Sequence, residues 1–128
     1  MVNVEALQEA IVLVFTFKTM MWLAIGVFIG VGVGAMPGLS ASTGVALMLP
    51  LTFTLPQASA LGLLIGLYKG AIYVGSISAI SFATPGTSEA AATVFDGHKM
   101  MRRGEGRKAL LMALYASVTA DFLSDVIT

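Results

Sequence analysis

Two short stretches carry the residue types that could do chemistry in this chain: Pro37-Gly38-Leu39-Ser40-Ala41 and Pro85-Gly86-Thr87-Ser88-Glu89. Both read Pro-Gly-x-Ser and are followed by small residues, which raises a duplicated unit as an expectation. The hydroxyls of Ser40, Ser42 and Thr43, and of Thr84, Thr87 and Ser88, can each donate and accept. Beside the backbone groups freed at Pro37, Gly38, Pro85 and Gly86, they suit the holding of a small ion. They do not suit bond-making. Serines are plentiful, yet no His or Lys stands at a spacing that would activate one, and no phosphate-cradling Gly-Lys-Ser/Thr run occurs. The absence of cysteine excludes disulfides, thiolate metal sites and Cys nucleophiles, and one histidine, His98, builds no zinc cluster. The chain therefore reads as a non-enzyme with no metal site and no cofactor.

What must position these stretches is a membrane bundle. Of the 128 residues, 57% are hydrophobic and 11% charged, and mean hydropathy is +0.91. Between Thr19 and Tyr68 there is no Asp, Glu, Lys or Arg, whereas one crossing of the hydrocarbon core needs about 20 mostly apolar residues. Glu5 and Glu9 precede an apolar run that simply continues, so the N-terminus reads as retained rather than as a signal peptide. Formal net charge is zero, which gives no reason to expect nucleic acid.

The order of elements follows from periodicity and breakers. Residues Val4 to Leu13 suit a short interfacial helix. A span from Met20 to Gly34 carries Gly26, Gly30 and Gly34 at spacing four, and a second from Ala58 to Ile80 carries Gly62, Gly66 and Gly70. Such smooth stripes let helices approach closely, so they read as packing surfaces. Pro37 breaks the first span; Ser40 to Leu49 is a short apolar piece ending at Pro50, one half of a re-entrant hairpin by expectation. Thr84 is placed to cap, and Pro85 to begin, a helix through Ala90 to Val94. Asp96 to Lys108 reads as a soluble loop, cytoplasmic by its excess of positive charge, with His98 exposed in it. A last helix begins at Ala109 and has no clear end at Thr128, as if the sequence were cut short.

Several polar residues have blander readings. Lys69 and Lys18 read as chains snorkelling to an interface, Ser76 and Ser78 as helix-to-helix hydrogen bonders, Asp121 and Asp125 as solvated. Glu89 reads as a first-turn acid at a helix start, with a proton- or cation-binding role as the alternative. Irregular backbone at membrane depth is tolerated only against protein or a watery cavity, which favours a binding role for both Pro-Gly breaks over simple kinks.

Taken in order, these pieces resemble the TctA family, the large membrane subunit of the tripartite tricarboxylate transporters. They are Trp22-Leu23-Ala24 with Gly26 and Gly30, Pro37-Gly38-Leu39, Ala46-Leu47-Met48-Leu49-Pro50-Leu51-Thr52-Phe53, Gly75-Ser76-Ile77, Pro85-Gly86 and Asp96-Gly97-His98. Val74 stands where a second glycine is common, Ala83 where asparagine is common, and Lys69 where an uncharged residue is usual. The resemblance implies the N-terminal portion of an inverted-repeat, multi-pass permease in the bacterial inner membrane, driven by a sodium or proton gradient. It also implies partners: a carboxylate substrate, a small membrane subunit, a periplasmic substrate-binding protein and the remaining half of the large subunit. The whole chain then reads as a single, incomplete, all-α membrane domain embedded in lipid. Broken helices would supply N-termini of about +0.5 charge each to hold a carboxylate, with freed carbonyls for a cation. The rival reading is a membrane scaffold that packs through its glycine stripes and transports nothing.

Overall fold

In a computed structural model, which describes residues 4–127, the chain is all-helical, and no strand occurs among the described residues. Helix α1 spans Val4–Val14, α2 Phe17–Ala35, α3 Ala41–Thr52 and α4 Gln57–Phe82. A three-residue α5, Ala91–Thr93, leads through a π-helical turn, Val94–His98, into α6, Lys99–Arg102, and then α7, Gly106–Ile127. Helices α2, α4 and α7 are long and apolar enough to cross a membrane. At 1.5 Å per residue they measure about 28, 39 and 33 Å, against a hydrocarbon core of about 30 Å.

The core is the seam between α2 and α4, and it is made of glycine. A side chain at Gly26 would run into the Leu63 carbonyl, one at Gly30 into the Leu67 carbonyl, and one at Gly34 into the Ala71 carbonyl. From the other side, Gly66 faces the Leu23 carbonyl, Gly70 the Val27 carbonyl at 2.7 Å from where its Cβ would stand, and Gly62 faces Thr19. The two stripes thus mesh with each other, backbone on backbone, through Cα–H to carbonyl contacts that a Cβ would forbid. Leu63, Leu67 and Ala71 are fully buried between them.

The register fixes direction. Residue numbers rise together along the seam, from 26 with 63 to 34 with 71, so α2 and α4 run parallel. Parallel neighbours need a return path, and α3 with its flanking connections, 36–56, provides it. Gly44 near the start of α3 packs on Val33 and Leu67, close to the far end of α2. Helix α3 passes through Pro50 and ends at Thr52 rather than stopping at the proline. Pro50 costs the helix one amide, the donor that would reach the Ala46 carbonyl, and the helix ends two residues later. Thr52 and Thr54 hydroxyls donate to the Leu49 and Leu51 carbonyls at 2.6 and 2.8 Å.

Beyond α4 the structure departs further from expectation. The stretch Asp96 to Lys108 is largely helical: it includes the end of the π-helical turn and all of α6, and α7 already begins at Gly106 rather than Ala109. Only Arg103–Glu105 form a turn, with Gly104 at φ +81°. His98 is half-buried rather than exposed, and its Nδ1 lies 3.0 Å from the Ile80 carbonyl. That carbonyl is in the last turn of α4, where no helical amide follows to satisfy it. Gly97 makes the approach possible, since a Cβ there would press on Ile80.

Replacing Gly66 with Leu should weaken the seam by about 1–3 kcal/mol or more, the usual cost of overpacking. Gly32→Leu, where nothing lies within 4 Å of the added Cβ, should leave stability unchanged. Thermal unfolding of both variants in detergent followed by circular dichroism checks the contrast.

Candidate functional site

The second Pro-Gly break is built by α4 and the end of α2. Helix α4 terminates at Phe82, and its next residue, Ala83, takes the left-handed conformation at φ 56°. This turns the chain back along the helix it has just left. Gly86 lies against the Gly34 carbonyl of α2, close to Ser78 Oγ and Gly75 Cα. The Gly86 amide faces the Gly75 carbonyl at 3.5 Å. Gly75 in turn leaves room for Thr87, whose Oγ1 stands 2.8 Å from where a glycine Cβ would be. Residues 84–90 are therefore not the capped helix that Thr84 and Pro85 predict; Thr84 and Pro85 are exposed and helix resumes only at Ala91. Packing a small-residue turn into the crease between two backbones outweighs local helix signals.

Thr87 is 3% exposed, and its Oγ1 has no hydrogen-bond partner. An unsatisfied buried hydroxyl costs about 1–3 kcal/mol. Ser78 is satisfied within its own helix, donating to the Gly75 carbonyl at 2.9 Å, so it does not bridge helices. Ser88 and Glu89 are exposed. Glu89 is held below the usual carboxylate range chiefly by its own backbone amide, against slight desolvation, with smaller help from the nearby Thr87 and Ser88 hydroxyls.

The first break is differently made. Gly38 adopts φ +90°, where an L side chain is strained, and its Cβ position is open. Ser40 caps α3, its Oγ accepting from the Thr43 amide at 3.1 Å. The same oxygen lies 2.9 Å from Ser42 Oγ and 2.8 Å from Thr43 Oγ1. Three hydroxyls thus gather at the start of a 12-residue helix, with Pro37, Gly38, Ser42 and Thr43 exposed. The shared Pro-Gly-x-Ser pattern therefore adopts two conformations. What joins the two breaks is Gly34: it precedes Pro37 by three residues and receives Gly86 on its carbonyl. Both breaks lie at the same end of the α2–α4 pair.

One polar contact was not foreseen in its partner. Lys69, near the middle of α4, pairs with Asp121 of α7 at 2.7 Å instead of reaching an interface, and each side chain is about half exposed. A cavity of about 430 Å³ between α4, the π-helical turn and α7 is lined by Ser76, Thr93, Asp96 and Ser117 among apolar residues that include Ile80, Met100 and Met112. The pairing could not be read from sequence because it joins residues on distant helices; Gly34 is marked by its place in the first glycine stripe, whereas Gly75 falls outside the spacing of the second, where Val74 stands. No group of three or more His, Cys, Asp or Glu side chains able to hold a metal occurs among the described residues.

Residues 20–128 match the Tripartite tricarboxylate transporter TctA family. The chain belongs to the TctA family. It is a family of transporters rather than enzymes, and the apolar helices agree with a membrane protein. The chain is also 40% identical over 99 residues to an uncharacterized 52.8 kDa protein in the TAR-I ttuC' 3' region of Agrobacterium vitis. That match covers 77% of this chain and 20% of the relative, so this TctA chain spans about a fifth of that protein's length. No solved structure matches it. Ala83 holds its left-handed conformation with a Cβ, which that region disfavours.

Ala83→Gly should accordingly stabilise the end of α4 by about 1 kcal/mol, the cost of placing a Cβ in that region. Comparing unfolding midpoints of wild type and variant in the same detergent checks it; a loss of stability would contradict the strain at this position.

Proposed function

We propose that this chain is the first part of the membrane permease subunit of a tripartite, ion-gradient-driven carboxylate transporter of the bacterial inner membrane. In this reading the two Pro-Gly breaks form its substrate and ion site. The observation that carries the reading is their convergence: two interruptions of helical backbone meet at one end of the α2–α4 pair, bridged by Gly34. Backbone groups and hydroxyls freed at breaks between membrane helices require polar company, and a small anion with its coupling ion, sodium or a proton, is that company in a transporter. The three hydroxyls around Ser40 and the positive end of α3 suit a carboxylate; carbonyls at the ends of α2 and α4 suit a cation.

The site is completed by other chains and segments. The remaining part of the large subunit, arranged as an inverted repeat, supplies the opposite wall. A small membrane subunit stabilises it, and a periplasmic binding protein delivers the carboxylate. The scaffold alternative loses its main support, because the glycine stripes are occupied by each other and are not free to recruit a partner.

In a complete transporter, Gly38→Leu and Gly86→Leu should each lower uptake of radiolabelled citrate into vesicles at least about tenfold, the equivalent of 1.4 kcal/mol, with insertion intact. Gly32→Leu should transport normally. Unchanged uptake in both break variants would refute the site assignment.

A further inference from the structure

Five of the chain's seven Lys and Arg residues fall between Lys99 and Lys108, and the fold turns most of that charge outward. Phe95, Lys99, Arg102 and Arg103 stand at i, i+4, i+7 and i+8, the spacing of one helix face, and all four are exposed. The other side of the segment is pinned: Gly97 is buried against Ile80, and His98 Nδ1 lies 3.0 Å from the Ile80 carbonyl. That contact sets the depth. Ile80 is two residues from the end of α4, and α7 begins at Gly106, so the outward face lies level with the ends of two spanning helices. Lys108 pairs with Glu105 at 3.2 Å, but Lys99, Arg102, Arg103 and Arg107 form no ion pair among the described residues. Beside them Phe95 is 71% exposed, and Phe82, the last residue of α4, 75%. A soluble acidic protein would match the cations but not two exposed aromatic rings at the level where a spanning helix ends. A phospholipid matches both.

We propose that this face binds the headgroups of anionic phospholipids: Lys99, Arg102 and Arg103 hold the phosphate oxygens, and Phe95 lies along the first carbons of the acyl chains. Arginine suits the task because its planar fork meets two phosphate oxygens at once. Gly104, at φ +81°, turns the chain from α6 into α7 and adds Arg107 at the same level. Each cation beside an anionic surface contributes roughly fivefold in binding. The assignment concerns the surrounding lipid rather than the substrate, and it stands whether or not the Pro-Gly breaks hold a carboxylate.

The chain has one tryptophan, Trp22, so a fluorescent reporter can be moved to the site. The full 128-residue chain carrying Trp22→Phe and Phe95→Trp is reconstituted into phosphatidylcholine vesicles that contain a graded minor fraction of either phosphatidylglycerol or phosphatidylcholine brominated on the upper acyl chain. Half-quenching should need at least about fivefold less brominated phosphatidylglycerol than brominated phosphatidylcholine. Adding Lys99→Gln, Arg102→Gln and Arg103→Gln should abolish that difference with helical circular dichroism unchanged, since all three side chains are exposed. Lys18→Gln, at the opposite end of the α2–α4 pair, should leave it intact. Inorganic phosphate added at constant ionic strength should not reverse the quenching. Equal quenching by the two lipids, a preference that survives the triple substitution, or one removed by inorganic phosphate would overturn the assignment.

Discussion

The structure depends on how closely two helix backbones can approach. Helices α2 and α4 meet without side chains between them at Gly26, Gly30, Gly34, Gly66 and Gly70, and every added Cβ there would strike a carbonyl or amide of the other helix. Lipid offers little hydrophobic reward for bringing apolar helices together, so contact must come from close packing and weak Cα–H to carbonyl interactions. Six glycines at spacing four provide both. Their register also makes the pair parallel, which forces residues 36–56 to return the chain and places both Pro-Gly breaks at one end.

The same constraint governs the polar groups. Within a bilayer each interruption of helix leaves amides and carbonyls that lipid cannot satisfy. This chain answers most of them locally: Ser40 caps α3, Thr52 and Thr54 cover the carbonyls on either side of Pro50, and His98 reaches back to the Ile80 carbonyl. Lys69 and Asp121 answer each other across α4 and α7. The Thr87 hydroxyl is left without an answer, in the one turn that is folded into the crease between the two central helices.

Much of this was legible in the sequence because the governing features are local and periodic. The stripes at Gly26, Gly30, Gly34 and at Gly62, Gly66, Gly70 mark the packing faces directly, and the apolar runs place α2 and α4 within about three residues of their bounds. Pro37 with Gly38 marks a true break, since the glycine's positive φ and the proline's missing amide are both local. The misses came from tertiary contacts. Thr84-Pro85 carries a sound helix-start signal, yet Gly86 is drawn onto the Gly34 carbonyl and the helix never starts there. The basic stretch around Lys99 reads as a soluble loop by charge alone, but Gly97 and His98 fasten it to Ile80, and helix continues on either side. Lys69 reads as a snorkelling lysine until α7 brings Asp121 to it, a partner that no spacing along the chain discloses.

The parallel arrangement of α2 and α4 is the claim on which the site stands, and distances between spin labels test it most directly. The chain has no cysteine, so pairs can be introduced at exposed positions: Met21 with Leu61, and Met21 with Phe82. A parallel pair predicts a short distance for the first and one longer by about 30 Å for the second, since about 20 helical residues separate the two α4 positions. A short Met21–Phe82 distance with a long Met21–Leu61 distance would make the helices antiparallel, send the two Pro-Gly breaks to opposite ends, and contradict the account.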